Sequence, residues 1–263
     1  MSKDFLMHFR ESETEAVKRL DELAKRVYQS GRMMLTSFLT PRELEIAAMM
    51  ASRNHVHFVS FGGYPEAERV RVLFFPKSEN NIDLANEYFE IVCLKLINDH
   101  RDKIRHQDYL GSILGMGVQR NQVGDIVIES NLGNAYVFVS RQMSLYFIDH
   151  YTHAGKVSLK VEPLNATPDL SGIEVKWEER LFTLKSLRLD AFVASAFGHS
   201  RTDAAQWIKS GKVQLNYSSC EDITEDVAAG DVISMRGSGR VRIISVEVNP
   251  KSGRQFVRIG KYN

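Results

Sequence analysis

The chain has 263 residues, of which 43% are hydrophobic and 25% are charged, and its formal net charge is +1. These values are ordinary for a soluble globular protein of two or three domains. There is no signal peptide, no apolar run near the roughly 18 residues of a membrane span, and no cysteine spacing typical of zinc or disulfides. The composition therefore excludes a membrane-spanning or disulfide-rich protein, and we expect a cytoplasmic one without a membrane partner.

Residues 1–78 are predicted to form an α+β domain. The pattern predicts a helix from about residue 14 to Gly31, a second helix capped by Thr40 with Pro41 at its first position, and strands at 55–59 and 70–75. His55 and His57 share one face of the first strand and could supply two metal ligands. Because no third ligand is nearby in the sequence, we expect a partly exposed strand face and no metal site.

Residues 79–164 alternate strands and helices. The predicted elements are a strand at 89–97, a helix at 107–116, strands at 125–128 and 135–139, a helix at 142–153 and a strand at 157–161. This β-α-β-β-α-β order predicts a ferredoxin-like plait, the fold that RNA-recognition domains also use. Tyr136 stands at one base-stacking position of the third strand, but Asn134 and Val139 replace the other aromatic residues. Base stacking and simple packing both remain open for Tyr136.

The segment 114–126 is rich in glycine but lacks the Gly-Lys-Ser/Thr ending of a nucleotide-binding loop. We therefore expect its glycines to permit tight turns and close packing, and we expect no nucleotide cofactor. Arg120 in this segment is a possible contact to a nucleic-acid backbone. Residues 165–181 contain Pro168 and predict a semi-extended linker that leads, through a strand near 175–182, into the last domain.

The last domain, 182–263, begins with two short helices. Apolar residues repeat at helical spacing from Leu189 to Ala196, Gly198 ends this helix, and Ser200 is a natural cap for the next. Arg188 precedes the first helix and Arg201 lies in the first turn of the second. A cation there opposes the helix dipole, so its presence makes sense if a phosphate is held by guanidinium groups and free backbone N–H groups.

The alternative for these arginines is simple surface pairing with Asp190 and Asp203. The distribution of charge along the chain helps to decide between phosphate binding and surface pairing. Residues 182–263 contain 12 Lys and Arg against 8 Asp and Glu, whereas the rest of the chain contains 22 against 25. A local basic surface of this kind is expected of a protein that binds a polyanion.

A strand pair follows the helices. Gly237-Ser238-Gly239 predicts a hairpin between strands at 231–236 and 240–244, with Arg240 and Arg242 on one face. Arg254, Phe256 and Arg258 likewise share one face of the last strand. They form a possible secondary contact strip for nucleic acid if Phe256 is exposed, and a packing arrangement if it points inward.

Several of these residues stand at the spacing of a known motif. The motif residues are Arg188-Leu189-Asp190, Ser200-Arg201, Ala204 or Ala205, Ile208, Gly211, Val213, Asn216 and Gly230-Asp231. They resemble the alpha-L RNA-binding motif, the domain named for ribosomal small-subunit protein four. With Leu110-Gly111, Leu114-Gly115 and Gly124-Asp125-Ile126, the layout of nearly the whole chain resembles the YlmH family of bacterial proteins.

The resemblance implies an α+β protein of three small domains, with an N-terminal α+β unit, a ferredoxin-like (RRM-like) plait and a C-terminal alpha-L domain. It also implies that the two basic helix starts grip structured RNA. The residues expected to contact RNA are Arg188, Arg201, Ser200, Thr202, Lys209, Lys212, Arg240 and Arg242. Possible secondary contacts are Arg120, Tyr136, Arg254, Phe256 and Arg258.

The function implied by the resemblance is non-enzymatic binding of structured rRNA or tRNA on the large ribosomal subunit, in ribosome-associated quality control or stalled-ribosome rescue. We expect a monomer with no cofactor, no metal and no small-molecule substrate. One alternative is an interaction protein of cell division, since genes of the family commonly neighbour cell-division genes. Another is an RNA-modifying enzyme, because pseudouridine synthases carry an Arg-Leu-Asp motif like residues 188–190, although the usual continuation is missing here.

Overall fold

The computed structural model describes residues 9, 13–79, 86–98, 104–129, 134–166, 170, 177–250 and 253–262. The chain divides into two compact units, one formed by Thr14–Glu174 and the other by Val175–Asn263 together with Met1–Glu13. Both units combine helices with antiparallel sheets, which confirms the predicted α+β class. Among the helices in these ranges, none is both long and apolar enough to cross a membrane.

The first unit opens with two helices on a small sheet. Its elements are α1 (Thr14–Ser30), β1 (Met34–Leu35), α2 (Pro41–Arg53), β2 (Val56–Phe61) and β3 (Arg71–Pro76), with sheet order β1-β3-β2. The start of α2 confirms the predicted cap, because the Thr40 hydroxyl accepts a hydrogen bond from the Glu43 N–H at 3.2 Å. His55 and His57 are exposed, and no three potential metal ligands come together in the described part of the chain.

The second part of this unit is the plait. It contains β4 (Ile91–Ile97), α3 (His106–Gly115), β5 (Val123–Glu129), β6 (Asn134–Ser140), α4 (Arg141–His150), a short hairpin of β7 (His153–Ala154) and β8 (Val157–Ser158), and β9 (Lys160–Pro163). The antiparallel sheet has the order β5-β6-β4-β9, which is that of a ferredoxin-like plait. The strand predicted at 157–161 is split, since its start belongs to the hairpin and its end to β9.

Side chains cover both faces of the plait sheet. Alternate residues of β6 pack against the core under α3 and α4, whereas Tyr136 and Phe138 point to the opposite face. That second face is occupied by Phe38, Tyr64 and Leu170, and the rings of Tyr64 and Phe138 stack with centroids 5.0 Å apart. The N-terminal α+β part and the plait therefore share a packed apolar contact.

A half-buried carboxylate reinforces the same contact. The Asp125 Oδ2 atom accepts hydrogen bonds from the Tyr64 hydroxyl at 2.8 Å and from the Glu68 N–H at 2.7 Å. The Oδ1 atom accepts one from the Arg69 N–H at 3.1 Å. Burial raises the pKa of Asp125, and the hydrogen bonds from Tyr64 and the two backbone N–H groups oppose that rise. These bonds anchor the loop between β2 and β3 to the edge of the plait.

The second unit is a six-stranded antiparallel sheet with two helices on one face. Its elements are β10 (Trp177–Leu184), α5 (Leu189–Phe197), α6 (Arg201–Lys209), β11 (Val213–Leu215), β12 (Ser218–Ser219), β13 (Val232–Met235), β14 (Gly239–Val248) and β15 (Gln255–Tyr262), with sheet order β10-β15-β14-β13-β11-β12. The predicted lead-in strand is β10, which pairs with β15 along its whole length. The predicted hairpin at Gly237–Gly239 joins β13 to β14. The core between helices and sheet contains Phe192, Ile208, Val241, Ile243 and Val257.

One residue from the start of the chain also belongs to this unit. Glu13 is 5% exposed, and its Oε1 atom accepts a hydrogen bond from the Ser218 hydroxyl at 2.7 Å. Ser218 lies in β12, at the edge of the six-stranded sheet. A buried carboxylate without a hydrogen-bond donor costs folding free energy, so the bond to Ser218 stabilises the folded unit. It joins two segments that are far apart in the sequence.

Candidate RNA-binding site

The start of α5 is closed by the chain that follows β12. Arg188 is the N-cap residue of this helix, and the next two backbone N–H groups, of Leu189 and Asp190, donate to the carbonyls of Glu225 and Ile223 at 2.7 and 3.2 Å. Our expectation that free N–H groups of this helix hold a phosphate is therefore wrong, because carbonyl oxygens already occupy them. At this helix start, a phosphate could therefore be contacted by the side chain of Arg188 but not by these two N–H groups.

The start of α6 is more open. Gly198 ends α5 in the left-handed conformation with φ of +73°, and Ser200 then caps α6 by accepting a hydrogen bond from the Asp203 N–H at 3.1 Å. This confirms the predicted cap. Arg201 and Thr202 follow in the first turn, and both are exposed. Both therefore lie at the solvent-exposed start of α6.

Arg188 and Arg201 meet at one carboxylate. Asp190 accepts hydrogen bonds from Arg188 Nε at 3.2 Å, from Arg188 Nη2 at 3.3 Å and from Arg201 Nη2 at 2.7 Å. The Asp190 side chain is 8% exposed, whereas those of Arg188 and Arg201 are 37% and 60% exposed. Two guanidinium groups thus share one buried negative charge. The three side chains together carry a net charge of +1 on a partly exposed surface. We call Arg188, Arg201 and Asp190 the arginine clamp.

The ion pairs of Arg188 and Arg201 differ in part from the predicted surface pairs with Asp190 and Asp203. Arg188 does pair with Asp190, but Arg201 pairs with Asp190 and not with Asp203, whose carboxylate accepts from the Ser200 hydroxyl at 2.7 Å. Burial would raise the pKa of Asp190, but hydrogen bonds from Arg188, Arg201 and the Ala191 N–H outweigh it, so the pKa lies below its usual value. Asp190 is therefore ionised at neutral pH, and the clamp is held by charge-assisted bonds.

The chain is similar to known proteins along nearly its whole length. Three family models match consecutive segments: "YlmH, N-terminal" at residues 12–78, "Putative RNA-binding domain in YlmH" at 85–168 and "S4 domain" at 187–233. Ribosome-associated protein quality control protein P2 of Bacillus subtilis (strain 168) is 32% identical over 249 residues, which cover 94% of this chain and 95% of that protein. The chain belongs to the YlmH family.

A solved structure is similar in fold to part of this YlmH-family protein. It is cell division protein ylmH from Streptococcus pneumoniae, with a TM-score of 0.52 and 23% sequence identity over 64% of this chain and 98% of that one. The family models confirm the three predicted domain types, and the RNA-binding and S4 domains establish the family as one of RNA-binding proteins. The arginine clamp lies at the start of the S4 match.

The other basic residues predicted to bind RNA do not all join the clamp. Lys209 and Lys212 lie at the opposite end of α6 from Arg201, about 12 Å along the axis for a rise of 1.5 Å per residue. Arg240 and Arg242 lie on β14, beyond the end of the S4 match, and alternate with Val241, which points into the core beneath the helices. These two arginines therefore project from the opposite face of the sheet, with Arg240 over the ring of Tyr217 at 5.2 Å.

The same outer face carries the last-strand strip. Phe256 is 37% exposed and Arg258 is exposed, whereas Val257 between them is buried in the core. Phe256 therefore does not point into the core, which removes the packing alternative for this ring. Arg254, just before β15, is also exposed. The predicted RNA contacts of this unit thus lie in three places, which are the arginine clamp, the opposite end of α6 with Lys209 and Lys212, and an arginine-rich sheet face.

The two possible contacts in the plait are placed differently. Tyr136 is 8% exposed and lies under the aromatic residues of the N-terminal part, so its ring is not open to base stacking in this structure. The Arg120 guanidinium donates to the Val123 and Gly124 carbonyls at 2.6 and 3.0 Å. Both side chains hold the plait together, as the packing alternative for Tyr136 anticipated.

The sequence interpretation missed the shared role of Asp190. Its pairing with Arg188 could be considered because the two are close in the sequence, but Arg201 is eleven residues away on another helix. An available signal was the combination of an acid in the first turn of α5 and an arginine in the first turn of α6. In this structure the Arg201 side chain reaches from the start of α6 to the Asp190 carboxylate at the start of α5, at 2.7 Å.

Proposed function

We propose that this YlmH-family protein binds structured RNA of the large ribosomal subunit, either rRNA or a bound tRNA, through the arginine clamp. We further propose that it acts as a monomer in ribosome-associated quality control, without catalysing a reaction. The observation that carries the proposal is the meeting of two partly exposed guanidinium groups, from two helix starts, at one buried carboxylate. Guanidinium groups at such positions suit the oxygens of a sugar–phosphate backbone.

The name of the Bacillus subtilis relative supports the ribosomal setting, because that protein is described as ribosome-associated and as a quality-control protein. The environment of Asp190 argues against the pseudouridine synthase alternative. Its carboxylate accepts hydrogen bonds from two arginines and from the Ala191 N–H at 2.8 Å, and it is buried. A carboxylate engaged in this way stabilises its neighbours and is not free to attack a base.

The direct test is binding to purified large ribosomal subunits, with and without a peptidyl-tRNA. We expect binding to the wild-type chain that is much weaker, but still measurable, in the Arg188→Gln/Arg201→Gln variant, and tighter binding when peptidyl-tRNA is present. Glutamine keeps a hydrogen-bond donor near Asp190, so the fold is perturbed less than by alanine. Equal binding of the variant and the wild type would refute the role of the clamp, and equal binding to both kinds of subunit would refute the quality-control setting.

The sheet face is proposed as a second RNA contact of the same protein. Phe256 offers a partly exposed ring between the exposed Arg254 and Arg258, and stacking of one base on an aromatic ring contributes about 1–3 kcal/mol. We expect Phe256→Ala to weaken binding to the subunit by about tenfold or more. Leu181→Ala is the matched control, since Leu181 is 64% exposed on the neighbouring strand and has no π face. An equal loss in both variants would contradict base stacking.

A further inference from the structure

Asp190 has more polar partners than its place on a short helix requires. Its Oδ1 atom accepts from Arg188 Nε and from the Ala191 N–H, and its Oδ2 atom accepts from Arg188 Nη2 and Arg201 Nη2, at distances of 2.7 to 3.3 Å. The Asp190 backbone N–H donates to the Ile223 carbonyl at 3.2 Å. Both the main chain and the carboxylate of Asp190 are therefore fixed in orientation.

The two arginines come from different helices, and Asp190 joins them. Without it, each would be a flexible surface side chain with its own set of rotamers. A guanidinium group that is already ordered loses less conformational entropy when it binds a phosphate. The carboxylate also has a cost, because it carries the same sign of charge as RNA and lies beside the groups that would hold the phosphate.

We infer that Asp190 is a positioning residue for RNA binding, which holds Arg188 and Arg201 as one rigid unit that grips neighbouring phosphates of the RNA backbone. This inference rests on the proposed function. It predicts a change in RNA affinity opposite in sign to the change that electrostatics alone predicts. Removing the negative charge of Asp190 should tighten binding if charge alone matters, and should weaken binding if the carboxylate orders the two arginines.

The test uses Asp190→Asn in the full chain and binding to purified large ribosomal subunits. Asparagine has the same shape but only one acceptor oxygen, so in either amide orientation its nitrogen faces two of the four donors that the carboxylate accepts from. We expect binding about tenfold weaker, within the range of coupling between residues that share one network. Glu221→Gln is the matched control, since this exposed acid lies in the loop next to Cys220 and its removal lowers the negative charge without touching the clamp. We expect that variant to bind as tightly as the wild type or more tightly.

A background measurement separates positioning from a general loss of structure. In the Arg188→Gln/Arg201→Gln variant, Asp190→Asn should cause no further loss of binding, because the groups that it positions are already absent. Binding of Asp190→Asn equal to or tighter than that of the wild type would overturn the inference. An undiminished affinity of the double-arginine variant would instead overturn the proposed function.

A second measurement keeps Asp190 intact, in case its replacement unfolds the domain. The single variants Arg188→Gln and Arg201→Gln are compared with the double variant. If the two arginines act as one unit, each single change should cost nearly as much affinity as both together. Independent losses that multiply in the double variant would show that the arginines act separately, and the inference would be wrong.

Discussion

The salt dependence of RNA binding tests the arginine clamp most directly. Each phosphate neutralised by a cation contributes about 0.9 to the slope of the logarithm of affinity against the logarithm of salt concentration. If Arg188 and Arg201 each neutralise one phosphate, Arg188→Gln/Arg201→Gln should lower that slope by about 1.8. For a wild-type protein with four phosphate contacts, raising salt from about 50 to 200 mM weakens binding about 100-fold, and the variant should show only about tenfold.

The assay is a series of binding isotherms with fluorescently labelled protein and large ribosomal subunits at increasing salt. The control is Arg188→Lys/Arg201→Lys, which keeps both charges but loses the planar geometry that contacts Asp190 at two atoms. This control should keep the wild-type slope while binding more weakly. An unchanged slope in the glutamine variant would refute the reasoning, and so would a slope in the lysine variant as low as that of the glutamine variant.

Three further predictions concern stability. Gly124→Ala should lower the free energy of unfolding by about 1–3 kcal/mol in chemical denaturation, because the new Cβ would lie 2.7 Å from the Phe38 ring. The control is Gly111→Ala in α3, where the space around the residue is open, and this change should raise the free energy of unfolding by up to about 1 kcal/mol. Asp125→Ala should cost about 3 kcal/mol or more, since it leaves a hydroxyl and two backbone N–H groups without their acceptor, and an unchanged denaturation midpoint would contradict the proposed anchoring. Because the folded-state pKa of Asp190 is lowered, its contribution to stability is present above its unfolded pKa of about 3.9 and lost as pH falls through the folded value. The difference in unfolding free energy between the wild type and Asp190→Asn should thus stay constant from pH 7 to 5 and shrink below about pH 4.

Local signals in the sequence predicted much of the fold. Thr40 and Ser200 cap their helices as expected, and Gly198 ends α5, because caps and left-handed stops depend on residues a few positions apart. The order of strands and helices likewise predicted the plait. Only the last strand was displaced, since the hairpin of β7 and β8 takes up the residues before β9.

Contacts between distant segments could not be predicted in this way. The carbonyls that close the start of α5 come from Ile223 and Glu225, more than thirty residues later in the chain. The aromatic residues that cover Tyr136 come from the N-terminal part, in Phe38 and Tyr64. No periodicity within one element indicates such partners. The closed start of α5 and the covered ring of Tyr136 therefore both arise from tertiary packing.

The bond between Glu13 and Ser218 has a consequence for the order in which the molecule is made. The two residues are 205 positions apart, so this bond cannot form until most of the chain has been synthesised. Thr14–Glu174 form a compact unit without Ser218 and can pack earlier. A nascent chain that stops before residue 218 would leave the Glu13 carboxylate without this hydroxyl. The environment of Glu13 would therefore differ between an incomplete and a complete chain.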